Sequence, residues 1–543
     1  MMTTWRISDL DRDATRNGWR GEGCRQGESL GVNLVAFKTK LRHWVPVFKR
    51  LIPCIGTNVF RSRGGIVAQE IVIRSERDVA RFVSTQPTSK SAIFIVLVAL
   101  GGIFVDAYDL TSLGIGVVQL RTQFHLTPFA VGSVTAMMAF GAVIGAMWGG
   151  YFTDKVGRFK MFLLDLIFLV VAAIGAALSL NIWMLLFFRL LMGIGVGLDF
   201  PVALSFIAEY VNERKRGGSI NLWQPVWYIA TSCTGLVILP FYYFGNFGDH
   251  LWRIAVGFGA VPATIILILR YKFMDESPGW AAHYLGLNEA ARVLEKMYGV
   301  KVKVEQEPTA KKQDVKIHYS EIFSPKYRLR TFLVSVIGIT QATEYYAVGF
   351  NLPTISTRLF GSAFIYAILG TVFFNIFGII GGFGGVFSTN RIGVRRLAII
   401  GYTIVVISLF SIYLLGPRMP VIVTALLLSL FIFGHSFGQG SQGMTMATLS
   451  FPTRIRGLGT GFAQGMTRVG TICGFYFFPL VVAKVGVTKM LAYLALIPLF
   501  GLITTLSIKW EPIGQDIDEQ DSVARMAASV GDSATAGSLG PQK

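Results

Sequence analysis

Twelve long apolar stretches between about Ser91 and Trp510 constrain this 543-residue chain more than any other feature. A run of ~20 apolar residues is long enough to cross a bilayer as a helix, and in lipid a helix satisfies its own backbone polar groups. The pattern predicts spans over 91–118, 128–150, 159–180, 182–208, 217–244 and 251–273, then 331–354, 363–388, 396–415, 419–447, 457–483 and 486–508. Only 15% of residues are charged, against ~25% in soluble domains, so the length does not signify a string of soluble domains. The predicted fold class is an all-α membrane protein with two six-helix bundles, 91–273 and 331–510, joined by a linker over 274–330. A basic extension (1–90) and a disordered tail (511–543) flank them.

The net charge of +19 does not point to nucleic acid, because the Lys and Arg residues are scattered through short loops. Loops at Lys155–Lys160, Arg214–Arg216, 274–330, Arg391–Arg396 and Arg454–Arg456 alternate with loops nearly free of cations. The positive-inside rule then puts both termini in the cytoplasm, with the chain in a plasma membrane, the bacterial inner membrane. Within the linker, Glu289–Met297 reads as a short amphipathic surface helix. Residues 1–90 show no span and no signal peptide; they are a basic tail drawn to anionic lipid, or an over-extended start preceding an initiator at Val83. Cys24, Cys54, Cys233 and Cys473 form no metal-binding or redox spacing, and no metal or cofactor is expected.

Ionisable groups inside spans are costly and are therefore functional candidates. Asp106 and Asp109 share one face of the first span; Arg189 and Asp199 lie on the fourth, Glu344 on the seventh and Arg468 on the eleventh. Asp109 and Arg189 fall at similar depths, roughly 10 to 14 Å from the outer ends of their helices, which allows either a structural ion pair or a direct transport role. Asp199 has no evident partner and lies beside Pro201, which suits a reversible proton carrier. Arg468 keeps its proton and so needs an anion: Glu344, Asp199, or an acidic substrate. Gln224, Trp227, Tyr228 and Thr231 form a polar stripe on the fifth span, and His435, Gln439 and Gln442 another on the tenth, together suggesting a polar ligand that accepts and donates hydrogen bonds.

Gly150, Asp154, Lys155, Gly157 and Arg158 spell a loop motif, TNRIGVRR at Thr389–Arg396 repeats it, and Arg189 with Gly193 and Gly197 forms a fourth-span motif. In these the chain resembles the major facilitator superfamily. DESPGW at Asp275–Trp280, EYVNERKRG at Glu209–Gly217 and FPTRIRGLG at Phe451–Gly459 are similar to sugar-porter signatures. DAYDL at Asp106–Leu110, GLDFP at Gly197–Pro201 and Gln224 resemble proton-phosphate symporters, while Arg468 in TRVG resembles organic-acid symporters. The resemblance implies Asp199 in proton and substrate binding, and gating or structural roles for Gly150, Asp154, Gly157, Arg158, Arg189, Glu209 and Arg216. Thr340 and Val348 stand where phosphate carriers place aromatic residues, which turns the expectation away from phosphate.

The expected function is secondary active transport by alternating access, a small polar or anionic metabolite, with an organic acid favoured, moving together with protons. Asp199, Asp106, Asp109 and Glu344 are the candidate proton groups. Arg468, Gln224, Tyr228, Trp227, Gln439, Gln442 and His435 are the candidate substrate contacts. Phosphate or sugar symport, uncoupled facilitation or exchange, and a transporter-like nutrient sensor are the alternatives. The expected partners are the substrate and the lipid bilayer, with a monomeric chain, no enzyme activity and the proton as coupling ion.

Overall fold

The computed structural model describes residues 70–521 except 88, 246–249, 306–317, 362 and 417–418; the expectations for 1–69 and 522–543 lie outside the described residues. The first half comprises α1 (Lys90–Phe124), α2 (Pro128–Val156), α3 (Arg158–Ala177), α4 (Ile182–Tyr210), α5 (Trp223–Phe244) and α6 (Leu251–Gly257 continued by Ala260–Phe273). The second comprises α7 (Arg328–Val348), α8 (Phe364–Ile392), α9 (Val394–Leu415), α10 (Val421–Phe437 continued by Gln439–Leu449), α11 (Arg456–Val485) and α12 (Val487–Ser507). Ten of these are long and apolar enough to cross a membrane. The other two, α7 and α11, carry Gln341, Glu344 and Arg468, the polar groups that face the interior of the bundle.

Local chemistry sets the helix ends. Thr127 accepts from the Ala130 N–H at 3.2 Å, just ahead of Pro128 in the first turn of α2, and Asn181 accepts from the Met184 N–H at 2.9 Å to start α4. The repeated loop motif acquires a backbone meaning. Gly157 (φ +114°) and Gly393 (φ +97°) make the same one-residue turn between α2 and α3 and between α8 and α9. Each following helix is capped by a distant glutamate. Glu276 accepts from the Arg158 N–H at 2.9 Å, and Glu511 accepts from the Arg395 N–H at 2.9 Å. Residues 511–521 are thus part of the fold: besides Glu511, Asp518 accepts from the Thr453 N–H at 2.6 Å.

α2 packs against α4 within its half and against α11 across the halves, while α5 packs on α8. Backbones approach closely at small residues: a Cβ on Gly193 would lie 2.0 Å from the Met138 carbonyl. The face that bears the linker also holds a small α/β layer. Strand β1 (Glu70–Ile73) pairs in parallel with β2 (Lys301–Val304), and helix Glu76–Thr85 packs its buried Val79 and Val83 on helices Pro278–Tyr284 and Leu287–Tyr298. The Asn212 amide donates to the Gln86 carbonyl at 2.9 Å. Residues 70–86 are therefore built into the linker rather than forming a loose tail. Their helix carries a short apolar face, Val79, Phe82 and Val83, on a ten-residue charged segment, and its partners lie some two hundred residues downstream.

Candidate functional site

The linker-side face is shut where α2, α4 and α11 meet. Main chain touches main chain there: a Cβ on Gly150 would lie 2.4 Å from the Gly457 carbonyl. The Asp154 carboxylate accepts from the N–H groups of Gly457 (3.1 Å) and Leu458 (2.8 Å) in the first turn of α11, and lies 3.5 Å from Arg158. Arg158 donates to Glu209 at 2.6 Å, and Arg456 reaches the same oxygen at 3.3 Å. Asn221 adds a second seam, donating to Thr389 at 2.5 Å, with Gln442 donating to the same hydroxyl at 3.1 Å. Gly150, Gly157, Asp154, Arg158 and Glu209 thus come together. Arg216 is half-buried in the field of Arg456 and Asp518, with no ion pair within 4.0 Å and its Nε without a hydrogen-bond partner among the described residues.

Deeper in, a small cavity opens between the halves, lined by Leu110 and Thr111 of α1, Trp227 and Thr231 of α5, Tyr345 and Tyr346 of α7, and Asn375 of α8. Asn375 donates to Thr231 at 3.0 Å, and the Trp227 indole donates to the Tyr345 hydroxyl at 3.3 Å, both between halves. Arg468 of α11 donates to the Tyr346 hydroxyl at 3.1 Å and lies over the Phe200 ring at 5.5 Å. It makes no ion pair within 4.0 Å among the described residues, and its Nε has no hydrogen-bond partner there. Glu344 and Asp199 are therefore not its anions. Asp106 is fully buried within reach of the Arg468 field, and neither of its oxygens has a hydrogen-bond partner among the described residues. A larger groove between α7, α11 and α12, around Val336, Met490 and Phe500, carries no charged side chain and no part of this constellation.

Four expected arrangements are corrected. Asp199 is not free: it accepts from Arg270 Nη2 at 2.7 Å, while Nη1 of the same guanidinium donates to Asp165 at 2.9 and 3.1 Å and to the Phe162 carbonyl at 2.9 Å. Gly102 leaves room for this cluster, since a Cβ there would lie 2.1 Å from Arg270 Nη2. Asp109 and Arg189 come together, but Arg189 donates to the Asp109 main-chain carbonyl at 3.2 Å, and the carboxylate has no hydrogen-bond partner among the described residues. The stripe on α10 does not face the cavity. The helix breaks at Gly438, so His435 and Gln439 turn to Glu344, at 3.1 and 2.5 Å, while Gln442 joins the seam at Thr389. On α5 the stripe splits: Trp227 and Thr231 line the cavity, whereas the buried Tyr228 packs edge-on against Tyr345, and Gln224, also buried, has no hydrogen-bond partner for its carbonyl oxygen among the described residues.

Asp165 and Arg270 are absent from the sequence-derived candidates although the signal for both is plain: each is a charged residue in an apolar run, at FLLDLIF and LILRYKF. Outside the spans, burial raises the Glu276 carboxyl above its ordinary range, partly offset by Arg158 and three main-chain N–H groups.

A family model described as "Sugar (and other) transporter" matches residues 91–524. The putative metabolite transport protein YaaU of Escherichia coli is 28% identical over 437 residues, 80% of this chain and 96% of that protein. The D-xylose transporter of Levilactobacillus brevis is 29% identical over 382 residues, 67% of this chain and 81% of that protein. Among solved structures, the proton:xylose symporter XylE bound to 6-bromo-6-deoxy-D-glucose is similar with a TM-score of 0.68 at 20% identity, covering 80% of this chain and 99% of that one. The inward-open form of XylE from E. coli scores 0.61 at 18% identity, with 80% and 99% covered.

Proposed function

Because the chain belongs to the sugar (and other) transporter family, and is thus a multi-pass membrane transporter with the twelve-helix, two-bundle fold of the major facilitator superfamily, we propose that it moves a small anionic metabolite together with protons by alternating access. The observation that carries this reading is Arg468, a buried guanidinium between the halves that has no carboxylate within 4.0 Å among the described residues. A cation in that position is an open half of a charge pair, and a carboxylate or phosphate group closes it in bidentate fashion. Trp227, Tyr345 and Tyr346 supply apolar walls with polar edges, and Thr231 and Asn375 supply hydrogen bonds.

Coupling follows from the position of Asp106. While the cavity is empty, Arg468 offsets the Asp106 charge from across the interface. A substrate anion that takes the guanidinium removes the larger of the two offsetting charges, Arg468 and Arg270, while Asp199 and Asp109 still oppose the Asp106 charge, and the carboxylate then binds a proton in the same step. For a monoanion the loaded centre then carries no net charge, as the empty pair does, and so passes through occlusion without an added charge. The linker-side face, rich in cations, lies toward the cytoplasm of a bacterial cell on this reading, and its closed seam makes the described state one that loads from outside.

A neutral sugar is the second reading, favoured by the aromatic cavity wall and by relatives named for xylose. Uptake of succinate, acetate, inorganic phosphate and D-xylose by proteoliposomes under an imposed pH gradient separates the two. Accumulation of an acid supports the proposal, and accumulation of xylose alone overturns its substrate class. Equilibration without accumulation identifies a facilitator, and binding without flux a sensor.

A further inference from the structure

Glu344 and His435 form a buried pair in the second half that the coupling step above does not use. His435 Nδ1 lies 3.1 Å from Glu344 Oε1, and both side chains are almost wholly buried. Gln439 donates to that same oxygen at 2.5 Å, while Oε2 has no hydrogen-bond partner among the described residues.

The charge count constrains what the pair holds. A carboxylate beside a neutral imidazole leaves one uncompensated negative charge inside a membrane span, which is costly. One added proton makes the pair neutral overall, whether as imidazolium and carboxylate or as imidazole and carboxylic acid. Among the described residues, the surroundings offer no other neutralising group. α7 contributes Tyr345 and Tyr346; α9 contributes Tyr402, bonded to Thr340; α10 contributes Gln439; α5 contributes Tyr228. On α11, Arg468 is turned to the Tyr346 hydroxyl, and α8 meets this part of α10 with the Gly378 carbonyl, which accepts from Ser436.

The pair also reaches the moving interface. The His435 ring stacks on Tyr345, with centroids 4.8 Å apart and planes 16° from parallel. Tyr345 lines the cavity and accepts from Trp227 of the other half. Rocking of the halves changes that contact, and with it the surroundings of the pair one ring away. A site whose environment alternates with the transport cycle binds a proton more tightly in one state than in the other, as a coupling site must.

We propose that His435 and Glu344 bind a second transported proton, shared between them, so that each substrate moves with two protons, one at Asp106 and one at this pair. The inference rests on the symport reading and adds its stoichiometry. The proton enters from cavity water, converts the anionic pair to a neutral one, and returns to water on the other side; no other bond changes.

The test uses the full chain in proteoliposomes, with the membrane potential held at zero by potassium and valinomycin, and whichever of succinate, acetate, inorganic phosphate and D-xylose is accumulated. With one pH unit imposed, each coupled proton multiplies the limiting accumulation by about tenfold. Wild type is expected to reach about 100-fold and His435→Gln about 10-fold, with substrate exchange at zero gradient retained as evidence of a folded carrier. Wild type at about 10-fold, or His435→Gln still at about 100-fold, overturns the second site while leaving symport standing. No gradient-driven accumulation by wild type overturns the symport reading itself. Independently of any substrate, potentiometric titration of purified protein between pH 5 and 9 is expected to show about one proton fewer bound by the Glu344→Gln/His435→Gln double variant. Equal proton counts for the two proteins overturn the proposal.

Discussion

At the scale of single residues, the interior separates charges that are matched from charges that await a partner. Arg270 is partnered, holding Asp165 and Asp199 on two other helices, although two carboxylates share its one guanidinium. Arg270→Met strands two carboxylates, and removing one partner from a buried ionic cluster costs about 3 to 5 kcal/mol. A sharp fall in thermal stability in detergent is the expected outcome. Asp165→Asn leaves a one-to-one pair and is expected to melt close to wild type; a loss as large as that of Arg270→Met would contradict this account. Arg468 and Asp106 are the unmatched kind. Arg468→Lys keeps the charge but loses the planar fork, so affinity for an acidic substrate is expected to fall by about 2 to 5 kcal/mol in an equilibrium binding assay, with little change in melting temperature. Asp106→Asn is expected to lower the limiting accumulation under one pH unit from about 100-fold to about 10-fold while exchange persists, and accumulation at the wild-type level would remove Asp106 from the coupling step.

At the scale of elements, the twelve spans are legible because each is an apolar run of membrane length, and the loop repeat is legible because Gly157 and Gly393 make the same turn. The interruption at Phe258–Gly259 is not, since it does not break the apolar pattern, whereas the one at Gly438 lies in the glycine-rich and polar run GHSFGQGSQG and is marked there. The second interruption rotates Gln439 and Gln442 away from the face that an unbroken helix would give them, and with His435 bonded to Glu344 the whole polar stripe on α10 proves to be internal wiring. Which acid meets which base is hidden as well, because partners such as Arg270 and Asp165 lie 105 residues apart. Helix capping by remote glutamates is equally invisible locally, yet it carries a pH signature. The Glu276 carboxyl titrates above its unfolded value, so the folded state binds that proton more tightly. This contribution to stability is complete below the unfolded value near pH 4.5 and is lost as pH rises through the raised one. The melting-temperature advantage of wild type over Glu276→Gln is therefore expected to shrink as pH rises from 4 toward neutrality, and a constant or growing difference would contradict the burial argument.

At the scale of the whole molecule, one carboxylate helps decide which side is closed. Asp154 of the first half caps the opening turn of α11 in the second. Asp154→Asn replaces two charge-assisted bonds with at most one neutral acceptor, a loss of about 1.5 to 3 kcal/mol that falls only on the state with this seam shut. Cysteine accessibility along the linker-side seam is expected to rise and net transport to slow, with affinity for substrate little changed; an equal loss of binding would indicate misfolding instead. The parallel pairing of Glu70–Ile73 with Lys301–Val304 has a consequence for biogenesis. The first strand leaves the ribosome 228 residues before the second, so at ~5 to 20 residues per second its edge waits roughly 10 to 45 s for a partner. When the partner arrives, the pairing fastens the start of the first six-helix bundle to the segment that follows it, before the second bundle is complete. The strand pair is thus a latch that closes one bundle as a finished unit during synthesis, and it leaves the second bundle to assemble against a partner already complete.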